Sequence, residues 1–250
     1  MATMMIDLTH EEGIRPTFSG DDGLTVFIKA MEDVGVTIGR MSRRSDFNID
    51  HFKASDVLMI AYPTDRFTGK EIENVVDYVE SGGSLFLTAE WSNLKQNADI
   101  LNAISKHFGI TFNNDRIADT KESFEEEIKL FDEVIKREPM PQFPRITDFA
   151  DHPINKGVEV IGHFSGCSLH APEESALAWS SPTSFGDEDG NSALDPGEKV
   201  GHLITAAHPH TSGGRIVAYG DTSILTNKYI NRADSKVFIV NTVKWLCKMI

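Results

Sequence analysis

A chain of 250 residues with 38 acidic against 24 basic side chains, for a formal charge of -14, repels phosphate backbones and anionic headgroups, so neither nucleic acid nor a membrane surface is an expected partner. Hydrophobic residues at 40% and charged ones at 25% are ordinary globular usage. The length suits one large core, and no stretch approaches the roughly 20 apolar residues of a membrane span. Cys167 and Cys247 lack the paired spacing of zinc or redox sites, and the opening MATMMIDLTHEEG has neither a basic nor a long apolar leader. Both features point to a soluble chain in a reducing, cytoplasmic setting.

Short apolar runs followed by helical patterns recur through the first half, as in βαβ units. Met4 to Leu8 reads as a strand. Leu24, Phe27, Ile28 and Met31 line a helix face that Gly35 ends, and Val36 to Ile38 follows as a second strand. Val57 to Ala61 is a continuous apolar run, as expected of a strand covered on both faces. Thr68 and Glu71 form a capping box for a helix striped by Ile72, Val75, Val76 and Val79 and stopped by Gly82-Gly83, with Ser84 to Ala89 as the next strand. Leu94, Ala98, Leu101, Ile104 and Phe108 continue as a helix ending at Gly109. From Thr120 to Arg137 the spacing of Phe124, Ile128, Phe131 and Ile135 predicts an acidic helix, broken by Pro139, Pro141 and Pro144. The second half is richer in strands, at Val158 to Ile161, Ala176 to Trp179, His202 to Ala207 and Arg215 to Tyr219, before a last helix striped by Ile239, Val243, Leu246 and Ile250. The expected fold is therefore α/β: a three-layer, doubly wound, mostly parallel sheet. It forms one domain over 1-250, with 114-150 as a helical insertion or flap.

The sharpest local signal is the run from Asp187 to Glu198. Asp187, Asp189, Asn191 and Asp195 place oxygens at loop positions 1, 3, 5 and 9, Ala193 offers its carbonyl at position 7, and Glu198 falls at position 12. That is the ligand order of a calcium loop, and hard Ca²⁺ needs six to eight such oxygens. Ser192 stands at position 6, where glycine is usual, with Gly190 two residues earlier. The same residues also suit a polar surface turn. A structural Ca²⁺ closing a long loop in a reducing compartment is the expectation taken forward.

In open α/β sheets ligands bind beyond the C-terminal strand ends. Asp7 and His10 follow the first strand, Tyr62 the apolar one, Glu90 and Trp91 the next, and Asp221, Ser223 and Asn227 follow Arg215 to Tyr219. Converging, His10, Tyr62, Glu90, Trp91, Asp221, Ser223 and Asn227 would give an acid, a base and a stacking ring for a polar small molecule such as a carbohydrate. Asp7, His10, Glu90 and Asp221 would alternatively serve a hydrolase acting on a glycoside or amide bond. Capping suits Asp221-Thr222-Ser223 equally well, and an Asp7 to His10 hydrogen bond explains that pair without a ligand. No G-x-S-x-G, Walker, G-x-G-x-x-G or H-E-x-x-H pattern occurs. Among scattered histidines, His208-Pro209-His210 is the one close pair and reads as an exposed loop.

Five stretches, in order along the chain, carry a family resemblance: Ile6-Asp7-Leu8-Thr9-His10; Tyr78 to Leu85; His152-Pro153-Ile154 with Gly157-Val158; Asp187 to Glu198; and Gly214 to Ser223 with Asn227 and Asn241 to Leu246. Together they resemble the class I glutamine-amidotransferase-like superfamily, and within it the domain shared by gliding-motility GldG-type proteins and an intraflagellar transport subunit, the GIFT domain. The resemblance implies a flavodoxin-like sheet, loss of the amidotransferase nucleophile and a ligand- or protein-binding role. Where the nucleophile would stand, this chain has Ala89-Glu90-Trp91.

Overall fold

The computed structural model describes residues 2–131, 133–209, 211 and 213–250, with Ser92, Lys129 and Leu130 described in backbone only. His210, and with it the second half of the His208-Pro209-His210 pair, lies outside the described residues. In chain order the elements are β1 (Ala2–Asp7), α1 (Thr25–Asp33), β2 (Val36–Met41), α2 (Ile49–Lys53), β3 (Val57–Ala61), α3 (Gly69–Glu80), β4 (Ser84–Thr88), α4 (Asn97–Ser105), β5 (Thr111–Phe112), β6 (Arg116–Ala118), β7 (Ser123–Leu130) and β8 (Glu133–Ile146). They continue as β9 (Asp148–Phe149), β10 (Ile161–Gly162), β11 (Leu169–His170), β12 (Ala176–Trp179), β13 (Phe185–Asp187), β14 (Ile204–Ala207), β15 (Ile216–Tyr219) and α5 (Ser235–Leu246).

The main sheet runs β2-β1-β3-β4-β15-β14-β11-β5, with β12 and β9 joined alongside β14. The strands from β2 to β15 pair parallel, whereas β14, β11, β5, β12 and β9 join antiparallel. The sheet is thus mixed, a correction to the mostly parallel flavodoxin-like arrangement. The physical reason is the length of the connections: parallel neighbours need a crossover of a dozen or more residues. That limit applies to β14 and β15, joined by residues 208–215 alone, so the chain folds back there and the pair is antiparallel.

Alternation along the central strands builds two cores. Val57, Met59 and Ala61 of β3 face a layer that includes Phe27 and Met31 of α1 and Phe238, Ile239 and Val243 of α5. Leu58 and Ile60 face the opposite layer, with Phe52 of α2, Val75 and Val79 of α3 and Leu101 and Ile104 of α4. β3 and β4 are buried at every position, which is why both read as unbroken apolar runs. The capping box at Thr68 and Glu71 is present, and Gly35 and Gly109 end their helices in the left-handed region at φ 82° and 75°.

The second correction concerns 120–137. These residues form no helix: β7 and β8 pair antiparallel, with Glu127 opposite Arg137 and Ile128 opposite Lys136, and Phe131 sits in the turn at φ 49°. The apolar residues fit a helical stripe, but helix propensity is a weak prior once a strand partner is available. Here the partner is the proline-bearing run after residue 133, which cannot be helical yet is tolerated on an open edge.

Asn227 ties this framework together. Its Oδ1 accepts from Val26 N (2.9 Å) and Thr25 Oγ1 (3.3 Å), and its Nδ2 donates to Gly20 O (2.8 Å), so the segment after β15 clamps the start of α1. Asn227→Ala is expected to lower unfolding stability by about 2 kcal/mol, the worth of two or three hydrogen bonds. Urea denaturation checks this, and a change below about 0.5 kcal/mol contradicts the clamp.

Candidate functional site

The parallel strands end on one edge of the sheet, and the chain seals that edge between β1 and β3. Gly13 N donates to Tyr62 O (2.9 Å), Thr64 N and Asp65 N both donate to His10 O (2.9 Å each), and Thr64 Oγ1 donates to Glu11 O (2.7 Å). A Cβ on Gly13 would fall 2.0 Å from the Tyr62 ring, so only glycine permits this approach. The His10 side chain is wholly buried between Phe47 and Phe67, with ring centroids 4.5 and 4.0 Å away. Its Nδ1 meets Asp7 Oδ2 at 2.6 Å, while Nε2 lies 3.7 Å from Glu71 Oε2 without a hydrogen bond. Arg44 holds that glutamate in turn, donating Nη2 to Oε2 at 2.7 Å. Asp7 Oδ1 is occupied by Thr9 N and Oγ1. Glu12 is packed alongside, and burial together with the Asp7 charge pushes its carboxyl up to about 9.

A second buried group lies beyond β4 and β15. Glu90 accepts from Ser223 Oγ at 2.9 Å, and burial raises its carboxyl to about 7. Asp221 Oδ2 accepts from Phe164 N at 2.6 Å while Oδ1 has no hydrogen-bond partner. Burial and the neighbouring Glu90 raise Asp221 well above the usual carboxylate range. Tyr62 is raised to about 12 by burial and the Glu90 charge. Glu90 itself has extended backbone, φ -119° and ψ 167°, not the sharp strained turn that presents a nucleophile. Cys167 is buried, and that burial pushes its thiol well up, so the thiolate a nucleophile needs is suppressed.

The expected ligand residues therefore divide. Tyr62, Glu90, Asp221 and Ser223 converge beyond β4 and β15, His10 and Asp7 form a sealed pair beside them, and Asn227 is spent on the α1 clamp. Trp91 turns the other way, under the guanidinium of Arg116 at 5.2 Å. A Cβ on Gly190 would lie 3.4 Å from the same ring, so the acidic loop rests on Trp91.

Arg116 is the residue that sequence reasoning missed, because nothing in the run Asn113-Asn114-Asp115-Arg116 ties it to a loop 71 positions later. Its Nη2 donates to Asp187 Oδ2 (2.6 Å), Gly190 O (2.7 Å) and Ser192 Oγ (2.8 Å). Burial alone would raise Asp187, but this guanidinium and the N–H groups of Ser192 and Gly190 hold it below its ordinary value. Ser192 adopts φ 63° and Gly190 φ 79°, so position 6 does make the left-handed turn although it is serine. Asp187, Asp189 and Glu198 bring ligand oxygens within 4.8 Å of one another. They form an acidic cluster able to coordinate a metal ion, as do Asp7, His10 and Glu12. Asn191 and Asp195 are bonded to each other through Nδ2 and Oδ2 (2.6 Å), and Glu198 accepts from Glu188 N and Asp195 N. The donor chemistry suits a hard cation, with one oxygen of Asp187 already committed to Arg116.

This is a mixed α/β fold in which Ala89-Glu90-Trp91 follows β4. Residues 19–243 match the model of a family described as Domain of unknown function (DUF4350), and the chain belongs to that family. No curated protein matches it in sequence. Among solved structures it is similar to the mmIFT52 N-terminal domain, with a TM-score of 0.73 at 15% identity over 98% of this chain and 97% of that one. It is also similar to a ThuA-like protein from Bacteroides uniformis, with a TM-score of 0.56 at 12% identity over 98% and 91%. For the β-galactosidase from Rahnella sp. R3 the TM-score is 0.55 at 13% identity, over 100% of this chain but 31% of the enzyme. At such identities these likenesses establish the fold, and at the level of the fold they bear out the resemblance to the domain of the intraflagellar transport subunit.

Raised carboxyls fix the sign of a pH effect. Between the unfolded value of about 4.3 and the folded value of about 7 for Glu90, the folded protein binds more protons, so stability falls as pH rises. Glu90→Gln is expected to gain on the order of 2 kcal/mol over the parent at pH 8 and nothing at pH 4. Denaturant melts at the two pH values check it, and an equal effect at both contradicts the assignment.

Proposed function

We propose that the chain is a non-catalytic binding and scaffolding domain whose acidic loop is clasped by calcium. The observation that carries this reading is the sealed strand edge. Where an amidotransferase-like fold would do its chemistry, this chain has an extended Glu90, a buried thiol and loops bonded across the crevice. Cavities of about 830, 720 and 420 Å³ lie elsewhere: at the root of the β7–β8 ribbon, beside His152, and between His208 and Trp245. Protein surfaces are therefore favoured over a deep small-molecule site. A carbohydrate or other polar ligand would meet Tyr62 and Ser223, the partly exposed members of the group around Glu90.

Support for calcium over other metals comes from the all-oxygen donors and the twelve-residue spacing. The ion's role is structural: it offsets the repulsion among Asp187, Asp189 and Glu198 and fixes the loop against Trp91. One observation favours a second reading, a hydrolase using carboxylates. Glu90, raised to about 7, is poised near neutral pH beside Asp221.

Two measurements test the proposal. Glutaminase, glycosidase and amidase assays are expected to show no turnover, and turnover abolished by Glu90→Gln would establish the hydrolase instead. At free calcium about 100 times the dissociation constant, stabilisation of about 2.7 kcal/mol is expected, reversed by EDTA and absent in Glu198→Ala. A melting temperature indifferent to calcium removes the clasp.

A further inference from the structure

The β7–β8 ribbon is the largest element that the main sheet leaves unused. β10 pairs with β8 only at Arg145 and Ile146, and Asp119 N and Ser165 N bond to Pro141 O and Gln142 O. From Glu133 to Met140, among the described residues, β8 pairs only with β7. Apolar side chains gather toward the tip of this arm: Phe131 is 93% exposed, Ile135 59%, Val134 48% and Ile128 39%. A two-stranded ribbon is marginal alone, and an exposed apolar cluster of this kind marks a contact surface.

Its two edges differ. The outer edge of β8 carries Pro139 and Pro141, which have no N–H to give a further strand. β7 has no proline. Arg232 guards its root, donating Nη2 to Glu125 O at 2.6 Å and Nη1 to the Glu126 carboxylate. Beyond that root, among the described residues, the edge has no strand on its outer side. Beside the root opens the cavity of about 830 Å³, lined by Glu125, Glu126 and Glu127 together with Arg137, Arg145 and Arg232; Arg137 holds Glu127 and Arg232 holds Glu126, so the acidic excess along the edge rests on Glu125 and on the rest of the ribbon. From Glu122 to Glu138 the sequence holds seven acidic residues against three basic ones, within a chain of charge -14. A second copy would set like charge on like, whereas a basic strand is complementary.

We propose that the outer edge of β7, within the 114–150 insertion, takes an extended segment of a partner protein as an added strand. That segment alternates basic and apolar residues, its cations drawn to Glu125 and the acidic excess of the ribbon and its apolar side chains on the Phe131 and Ile135 tip. Main-chain hydrogen bonds supply the attachment and the net negative charge of the ribbon supplies the selection. The inference rests on the scaffold reading and gives it a partner chemistry.

The test uses the whole chain and three fluorescent octapeptides: alternating Val-Lys, alternating Val-Glu, and Val-Lys with alternate backbone nitrogens methylated. Saturable anisotropy binding is expected for the first alone, with slowed amide exchange in β7. Glu125→Lys combined with Phe131→Ser weakens it at least about tenfold. Equal binding of the methylated peptide, or indifference to the double substitution, overturns strand addition in favour of diffuse attraction to an acidic chain. A concentration-dependent dimer that protects β7 overturns it in favour of self-association. Absence of peptide binding together with absence of turnover refutes the added strand and leaves the scaffold reading intact. Turnover refutes the reading beneath it.

Discussion

Two backbone N–H groups, from Thr64 and Asp65, converge on the single carbonyl of His10, and much of the architecture follows from that knot. It requires the loop after β1 to lie directly on the loop after β3, which in turn requires Gly13 to be bare against Tyr62. It also drives the His10 ring inward between Phe47 and Phe67, where Asp7 is its one hydrogen-bonded side chain besides Thr9. The usual ligand crevice of an open α/β sheet is filled here by the protein's own chain. The buried carboxyls of Glu12 and Glu90 stay raised because their surroundings exclude water, and for Glu12 the Asp7 charge adds to the effect.

The periphery is organised around charge. Arg116 links the two regions that the sequence marked independently, stacking on Trp91 after β4 and reaching three oxygens of the 187–198 loop. One guanidinium thus neutralises part of a loop in which Asp189 and Glu198 turn their oxygens toward Asp187. Arg116 neutralises part of an acidic loop that holds a left-handed serine at position 6 and whose Asp187, Asp189 and Glu198 are able to coordinate a metal ion.

Legibility in the sequence followed the source of each signal. β3, α3 and β4 were readable because burial on both faces and a capping box write themselves into contiguous residues. α2 was too short to show periodicity, although Asn48 accepts from Asp50 N and His51 N as its cap. The 120–137 segment misled because Phe124, Ile128, Phe131 and Ile135 fit a helical stripe, while the decisive information lay in the pairing of Glu127 with Arg137, which no local window contains. Asp7, His10, Glu90 and Asp221 were found because they follow strands, but their burial was invisible, as it depends on Phe47, Phe67 and Phe164 arriving from elsewhere. Arg116 left no trace at all, since its meaning is set entirely by a contact distant in sequence.

Backbone amide exchange at Gly13, Thr64 and Asp65 tests the sealed crevice most directly, because those three N–H groups form the seal. If the closure is intrinsic to the fold, they exchange only with global unfolding and match the slowest amides of β3 and β4. Exchange at or near the rate of a free peptide, while β3 and β4 stay protected, would show a crevice that opens on its own and would contradict the account.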